Sequence, residues 1–201
     1  MNIQRHIQLI GAMLLACAFS FACKSMEVES IRTRAWPATA YADIKDVGIG
    51  YFDSSGSGMS PLTRTNFYRT LAFALREAGY TTAESGEIGD LLKKSSLPAD
   101  RTLTDNEVEL FNRNFGGQLY LQGGVQEVRT ETLLEDLLQV MVHVSIHEME
   151  TGKKLGEIKV FGRDLEYNTG RETLKISRLV ARELDSMVLE RNGGDVPEAG
   201  R

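Results

Sequence analysis

An α/β domain built on a mixed sheet is what this sequence predicts. Three observations carry the prediction. The early strands are separated by amphipathic helices, the late strands follow one another with only turns between them, and the composition is that of an ordinary globular chain. The resulting order is β-α-β-α-β-β-β-α, with helices packed on the sheet and a lipoprotein signal peptide ahead of it. The 201 residues are 42% hydrophobic and 25% charged, which allows one domain with a sizeable core. The two cysteines exclude a disulfide scaffold. The net charge of −5 argues against a surface built to grip nucleic acid, which needs a basic excess.

The first 22 residues have the layout of an export signal: a short start carrying Arg5, then an apolar run over 7–22 broken only by Gln8 and Ser20. That run is too short and too weakly flanked for a stable membrane-spanning helix. Leu14-Leu15-Ala16-Cys17 has the form of a lipobox, where a bacterial lipoprotein is acylated on Cys and cut just before it. Phe19-Ser20-Phe21-Ala22-Cys23 is a looser second match. Cys17 is preferred for its preceding residues and Cys23 is the alternative. Either choice leaves no cysteine in the domain, hence no thiolate nucleophile and no Cys-based metal site. An acylated, palmitate-bearing Cys would anchor the chain to a bilayer without spanning it.

The stretch 24–41 is polar, contains Trp36-Pro37 and shows no clear period, so it reads as a tether, with an edge strand as the alternative. The domain is expected over 42–191. It opens with a buried strand, Val47-Gly48-Ile49-Gly50-Tyr51-Phe52, which runs into Asp53-Ser54-Ser55-Gly56-Ser57-Gly58, a loop. Ser60 and Pro61 then have the residue types of an N-cap and a first helical position. Phe67, Leu71, Ala74, Leu75 and Ala78 share one helical face, and Gly79 supplies the stop. Residues 80–83 read as a short strand and 88–94 as a short helix.

The helix over 103–115 has the firmest local signals. Thr104 and Glu107 form a capping box, Leu103 can staple onto Val108, and Gly116-Gly117 ends the helix. Residues 118–128 read as a strand with a bulge at Gly123-Gly124. In 138–149, Leu138, Val140, Val142, Val144 and Ile146 alternate with Gln139, Met141, His143, Ser145 and His147. Strict alternation buries one face and leaves Met141, His143, Ser145 and His147 to solvent or a partner. Glu150-Thr151-Gly152-Lys153 turns the chain into a hairpin partner at 155–161. Leu174, Ile176, Val180, Leu184, Met187 and Val188 mark a last amphipathic helix, and 192–201 reads as a frayed tail.

Three local patterns, in this order and spacing, make the stretch 47–189 resemble the family of the curli-secretion lipoprotein CsgG, the lipoprotein activators of penicillin-binding proteins (LpoB) and the N-terminal domain of TolB. They are Val47-Gly-Ile-Gly-Tyr-Phe-Asp, the helix end Leu71-Ala-Phe-Ala-Leu-Arg-Glu-Ala-Gly-Tyr-Thr, and Gln118-Leu-Tyr-Leu-Gln-Gly-Gly-Val followed by Glu148-Met-Glu-Thr-Gly-Lys. The resemblance implies a periplasm-facing, lipid-anchored and non-enzymatic envelope protein, with the outer membrane as the expected site. Other envelope proteins are its expected partners, nucleic acid is not, and a homo-oligomer is compatible with this reading. A pore is not implied. Secretion channels of the family insert two long hairpins per subunit, and 128–138, with Arg129, Glu131, Glu135 and Asp136, is the one insertion of note. A subunit of a secretion or transport assembly and an envelope-polymer hydrolase are the alternatives.

Residue chemistry adds little to an enzymatic reading. His143 and His147 on one strand face would stand about 13 Å apart at roughly 3.3 Å per residue, too far for one metal ion. The loop 54–58 follows a strand and precedes a helix but lacks the Gly-Lys-Ser/Thr ending of a phosphate cradle. Gly56-Ser57-Gly58 has the wrong spacing for a nucleophile elbow. No catalytic residue, cofactor or metal site is assigned. Met141, His143 and His147 are the candidate partner-binding residues, because adaptable Met beside His on a nominally polar face suits a contact surface.

Overall fold

The alternation in 138–149 sets the architecture, because it makes this strand the middle of a sheet that buries one face completely. In the structure, a computed structural model describing residues 27–34, 44–54, 61–83, 85–131, 136–164 and 170–191, its residues 138–148 lie in β5 and Met149 begins the turn. The elements in order are β1 (Glu27–Arg34), β2 (Asp46–Asp53), α1 (Pro61–Glu77), β3 (Thr81–Thr82), α2 (Ser85–Lys94), α3 (Asp105–Phe115), β4 (Leu119–Glu131), β5 (Asp136–Glu148), β6 (Lys154–Asp164) and α4 (Gly170–Arg191). The strands form one sheet in the order β1-β6-β5-β4-β2-β3. β2 runs parallel to β3 and β4, and the other neighbouring pairs are antiparallel. The sheet is therefore mixed, as the order of elements predicts.

Helices cover both faces. Phe67, Leu71, Ala74 and Leu75 of α1 and Ile176, Val180, Leu184 and Met187 of α4 pack on Val47, Ile49, Phe52, Leu121, Val142, Val144, Ile146 and Val160. Val142, Val144 and Ile146 are fully buried there, as the alternation requires. α1 and α4 also meet through Thr70 Oγ1 and Ser177 Oγ, 3.0 Å apart, and through a bidentate Arg178–Glu77 pair at 2.9 and 3.0 Å. On the opposite face a smaller cluster joins Ile88 and Leu92 of α2 to Leu103, Val108, Phe111, Tyr120 and Met149.

Three expectations are corrected. Residues 27–34, inside the stretch read as a tether, form β1 and pair antiparallel with β6 from Glu27↔Arg163 to Arg34↔Gly156. The strand escapes a pattern search because charged residues crowd it, the usual guard on an exposed sheet edge. Second, the bulge is in β2. Ile49 pairs with Leu121 and Phe52 with Gly123, so Gly50 and Tyr51 together oppose Gln122. Gly123-Gly124 pair regularly with Val144 and His143, and a Cβ on Gly123 would overlap the His143 carbonyl. That glycine serves close strand approach. Third, the described residues of the stretch read as an insertion, 128–131 and 136–138, continue β4 and β5, which stay paired as far as Glu131↔Asp136.

The capping box of α3 forms: Thr104 N–H donates to the Glu107 carboxylate at 2.8 Å. Arg101 grips the same carboxylate through both its oxygens. Hydrogen bonds from Arg101 and from the Thr104 backbone hold the Glu107 carboxyl down at about 2. The helix ends on Gly116 in the left-handed region at φ 68°.

Candidate functional site

The face of β4, β5 and β6 that looks away from α1 and α4 is built row by row from the strand register. Residues paired across the sheet share a face, so Tyr120 and His147 fall in one row, Gln122, Ser145 and Glu157 in the next, then Gly124, His143 and Lys159, and last Gln126, Met141 and Phe161. β1 adds Ile31 opposite Lys159.

α2 and α3 cover only the first rows. Tyr120, Met149 and Phe111 are fully buried, with the Phe111 and Tyr120 ring centroids 5.6 Å apart. The fit depends on two glycines of β2. A Cβ on Gly48 would stand 3.2 Å from both Phe115 and Tyr120, and one on Gly50 would overlap the Tyr120 hydroxyl. Gly48-x-Gly50 of β2 is thus a bed for an aromatic ring.

His147 is 5% exposed, which corrects its placement on a wet face: it lies under the start of α3. Its Nδ1 is 3.1 Å from the Gly152 carbonyl and its Nε2 3.1 Å from Gln122 Nε2. Burial lowers its pKa below the ordinary imidazole value, against the opposing pull of the Gly152 carbonyl and Asp105. Ser145 and Met149 are also buried, so the second helical layer pads this part of the sheet.

Beyond α3 the face opens. Met141, His143, Lys159 and Phe161 are half-buried, Gln126 is exposed, and Ile31 is 51% exposed. His143 Nε2 lies 3.4 Å from Glu157 Oε1, Lys159 Nζ lies 3.9 Å from Glu157 Oε2, and Lys154 contacts the same carboxylate. The Lys154 hydrogen bond, with help from His143, holds the Glu157 carboxyl below the usual carboxylate range. The open end of the face thus sets Met141, Phe161 and Ile31 beside the charges around Glu157.

The structure thus keeps Met141 and His143 together on one accessible patch and sends His147 into a buried network. Sequence reading missed Gln122, a polar residue inside the run Leu119–Val125, whose buried amide ties β4 to Leu103. It also missed Phe161 and Ile31, which reach Met141 and His143 only through strand pairing. Cys17, Cys23 and residues 55–60 lie outside the described residues. Among the described residues no group of three or more His, Cys, Asp or Glu side chains is placed to hold a metal ion, and no helix is long and apolar enough to cross a membrane.

The three-layer arrangement is a fold that a solved bacterial lipoprotein has. The lipoprotein GNA1162 from Neisseria meningitidis superposes with a TM-score of 0.50 at 17% identity, over 71% of this chain and 99% of that one. PelC from Paraburkholderia phytofirmans, solved as a dodecamer, gives 0.45 at 14% identity over 76% and 95% of the two chains. The LpoB C-terminal domain from Salmonella enterica gives 0.37 at 17% identity over 61% and 83%. No family model matches the sequence, and no curated protein matches it. At this identity the likeness to the Neisseria lipoprotein shows a shared fold.

Proposed function

We propose that this chain is a bacterial envelope lipoprotein whose domain is a non-enzymatic, periplasm-facing module that binds other envelope proteins. It is anchored through an acylated Cys17, with Cys23 as the alternative, on the outer membrane. The observation that carries the reading is that a lipobox precedes a domain whose fold covers 99% of a solved lipoprotein. The contact patch is the open end of the sheet face, centred on Met141 and His143 with Phe161 and Ile31 beside them. His147 lies outside it, buried under the start of α3.

Two experiments test this. Cells fed a fatty-acid analogue should label the wild type and the Cys23→Ser variant but not Cys17→Ser; label surviving in the double variant would end the lipoprotein reading. A photo-crosslinking residue at position 141 should capture an envelope protein in intact cells, whereas one at exposed Phe73 on α1 should not. Capture from both positions alike, or from neither, would remove the patch as the contact.

A further inference from the structure

His147 stands where three segments of the fold meet: β4 through Gln122, the start of α3 through Leu103 and Asp105, and the β5–β6 turn through Gly152. The polar groups there leave one consistent set of protons. A carbonyl only accepts, so the Nδ1 facing Gly152 O carries the hydrogen. The Gln122 amide is fixed at both ends by one residue: Leu103 N–H donates to Oε1 at 2.7 Å, and Nε2 donates to Leu103 O at 2.8 Å. The second hydrogen on Gln122 Nε2 therefore points at His147 Nε2, which accepts it. Every partner is satisfied only when the ring is neutral, with its proton on Nδ1.

A second proton would sit on Nε2 and face the Gln122 N–H. Turning the amide over does not relieve this, because it sets an N–H against Leu103 N–H and an oxygen against Leu103 O. The conflict ends only if the Gln122–Leu103 pairing opens or the ring leaves its site, and at 5% exposure the ring has no solvent to turn to.

The charged and titratable groups around the ring do not cancel this. Asp105 of α3 has Oδ1 3.5 Å from Nδ1 and favours the charged ring, but its side chain is 62% exposed and water screens it. Lys154 of β6, paired with His147 in register, opposes the charge. Tyr120 of β4, paired on the other side, has a phenol that burial keeps neutral.

We propose that His147 is a proton-operated latch: the neutral ring fastens the start of α3 and the β5–β6 turn to the sheet, and the protonated ring releases them. Release uncovers part of the Tyr120, Met149 and Phe111 cluster next to the open patch. The device does not depend on what that patch binds. Its sign follows from linkage. The folded state binds this proton less readily than the unfolded chain, so the latch holds fully above the ordinary imidazole value of about 6.5. It weakens as pH falls below that value toward the ring's own lowered one.

Nitrogen-15 NMR of the purified protein tests the ring and its consequence together. At pH 7.5, His147 should show the Nδ1–H tautomer; the Nε2–H tautomer would overturn the proposal. Between pH 6.5 and 5.5, amide-exchange protection at Leu103 should fall, by up to about fivefold, while Val144 in the β5 core keeps its protection. Unchanged Leu103 protection, or a parallel fall at Val144, would refute a local latch. The His147→Gln variant should lose the acid step; if it folds and keeps the step, the ring is not its source. If that variant does not fold, the wild-type tautomer and the Leu103–Val144 comparison decide the matter.

Discussion

Gly50 is where a single methyl group tests the packing of the smaller cluster. Its backbone is not in the left-handed region, so alanine is conformationally acceptable and the objection is spatial. The added Cβ would overlap the Tyr120 hydroxyl and stand 2.7 Å from Cε1. The ring has no free direction of retreat: it is fully buried, Phe111 tilts against it, and Gly48 closes the other side. Overpacking of this kind costs about 1–3 kcal/mol. For a domain of this size that is a fall in Tm of roughly 2–12 °C. A double-mutant cycle with Tyr120→Leu isolates the cause, since Leu lacks the three atoms that collide. In that background Gly50→Ala should be neutral or stabilising by up to about 1 kcal/mol, because alanine loses less backbone entropy on folding. Urea melts of the four proteins give the coupling. Equal costs of Gly50→Ala in both backgrounds would show that the glycine is there for another reason.

Val142→Asp buries an unpaired charge at a fully buried position and should cost several kcal/mol, whereas Met141→Asp, one residue along and half-buried, should leave most of the stability in place and instead weaken crosslinked capture; comparable losses of Tm would refute the two-faced strand. Gly152→Ala must place a side chain at φ 71° against the Asp105 backbone, so a drop in Tm is expected in thermal denaturation, and an unchanged Tm would deny that the β5–β6 turn seats on α3. Glu107 titrates at about 2 in the folded chain against an ordinary 4.5, so its contribution is complete above 4.5 and is lost as pH falls toward 2. Glu107→Gln should flatten that part of the stability–pH curve, and an unaltered acid limb would show the Arg101 and Thr104 contacts to be inert.

What the sequence discloses here depends on how far apart the deciding residues lie. α3 is legible almost to the residue, because Thr104 and Glu107 act within one turn of each other at its start and Gly116 follows directly on its last residue, Phe115. β5 is legible because every second residue repeats the same instruction. β1 hides because an edge strand is asked to discourage pairing, which gives it the composition of a linker. His147 is misplaced for a different reason. Period-two reasoning identifies its face correctly but cannot tell which half of that face α3 covers, and the partners that enclose it, Leu103 and Gln122, are 44 and 25 positions away. The proposed contact patch is half-visible: Met141 and His143 announce themselves on one strand, while Phe161 and Ile31 share their sheet face only through register.

The extra residue in β2 also decides where this domain can change length. A strand has a reading frame of two, and a loss or gain of one residue ordinarily turns everything downstream inside out. Between Ile49 and Phe52 that rule is suspended. Two residues there stand opposite Gln122 where a regular ladder needs one, so deleting Tyr51 would leave Phe52 aligned with Gly123 and still facing α1. The same deletion at Gly48 would move Val47 out of phase with Leu119 and empty its place in the core. Chains of this architecture that differ by a single residue in the strand can therefore keep every buried position, provided the difference falls at the bulge. The bulge is a spare letter in an otherwise fixed frame.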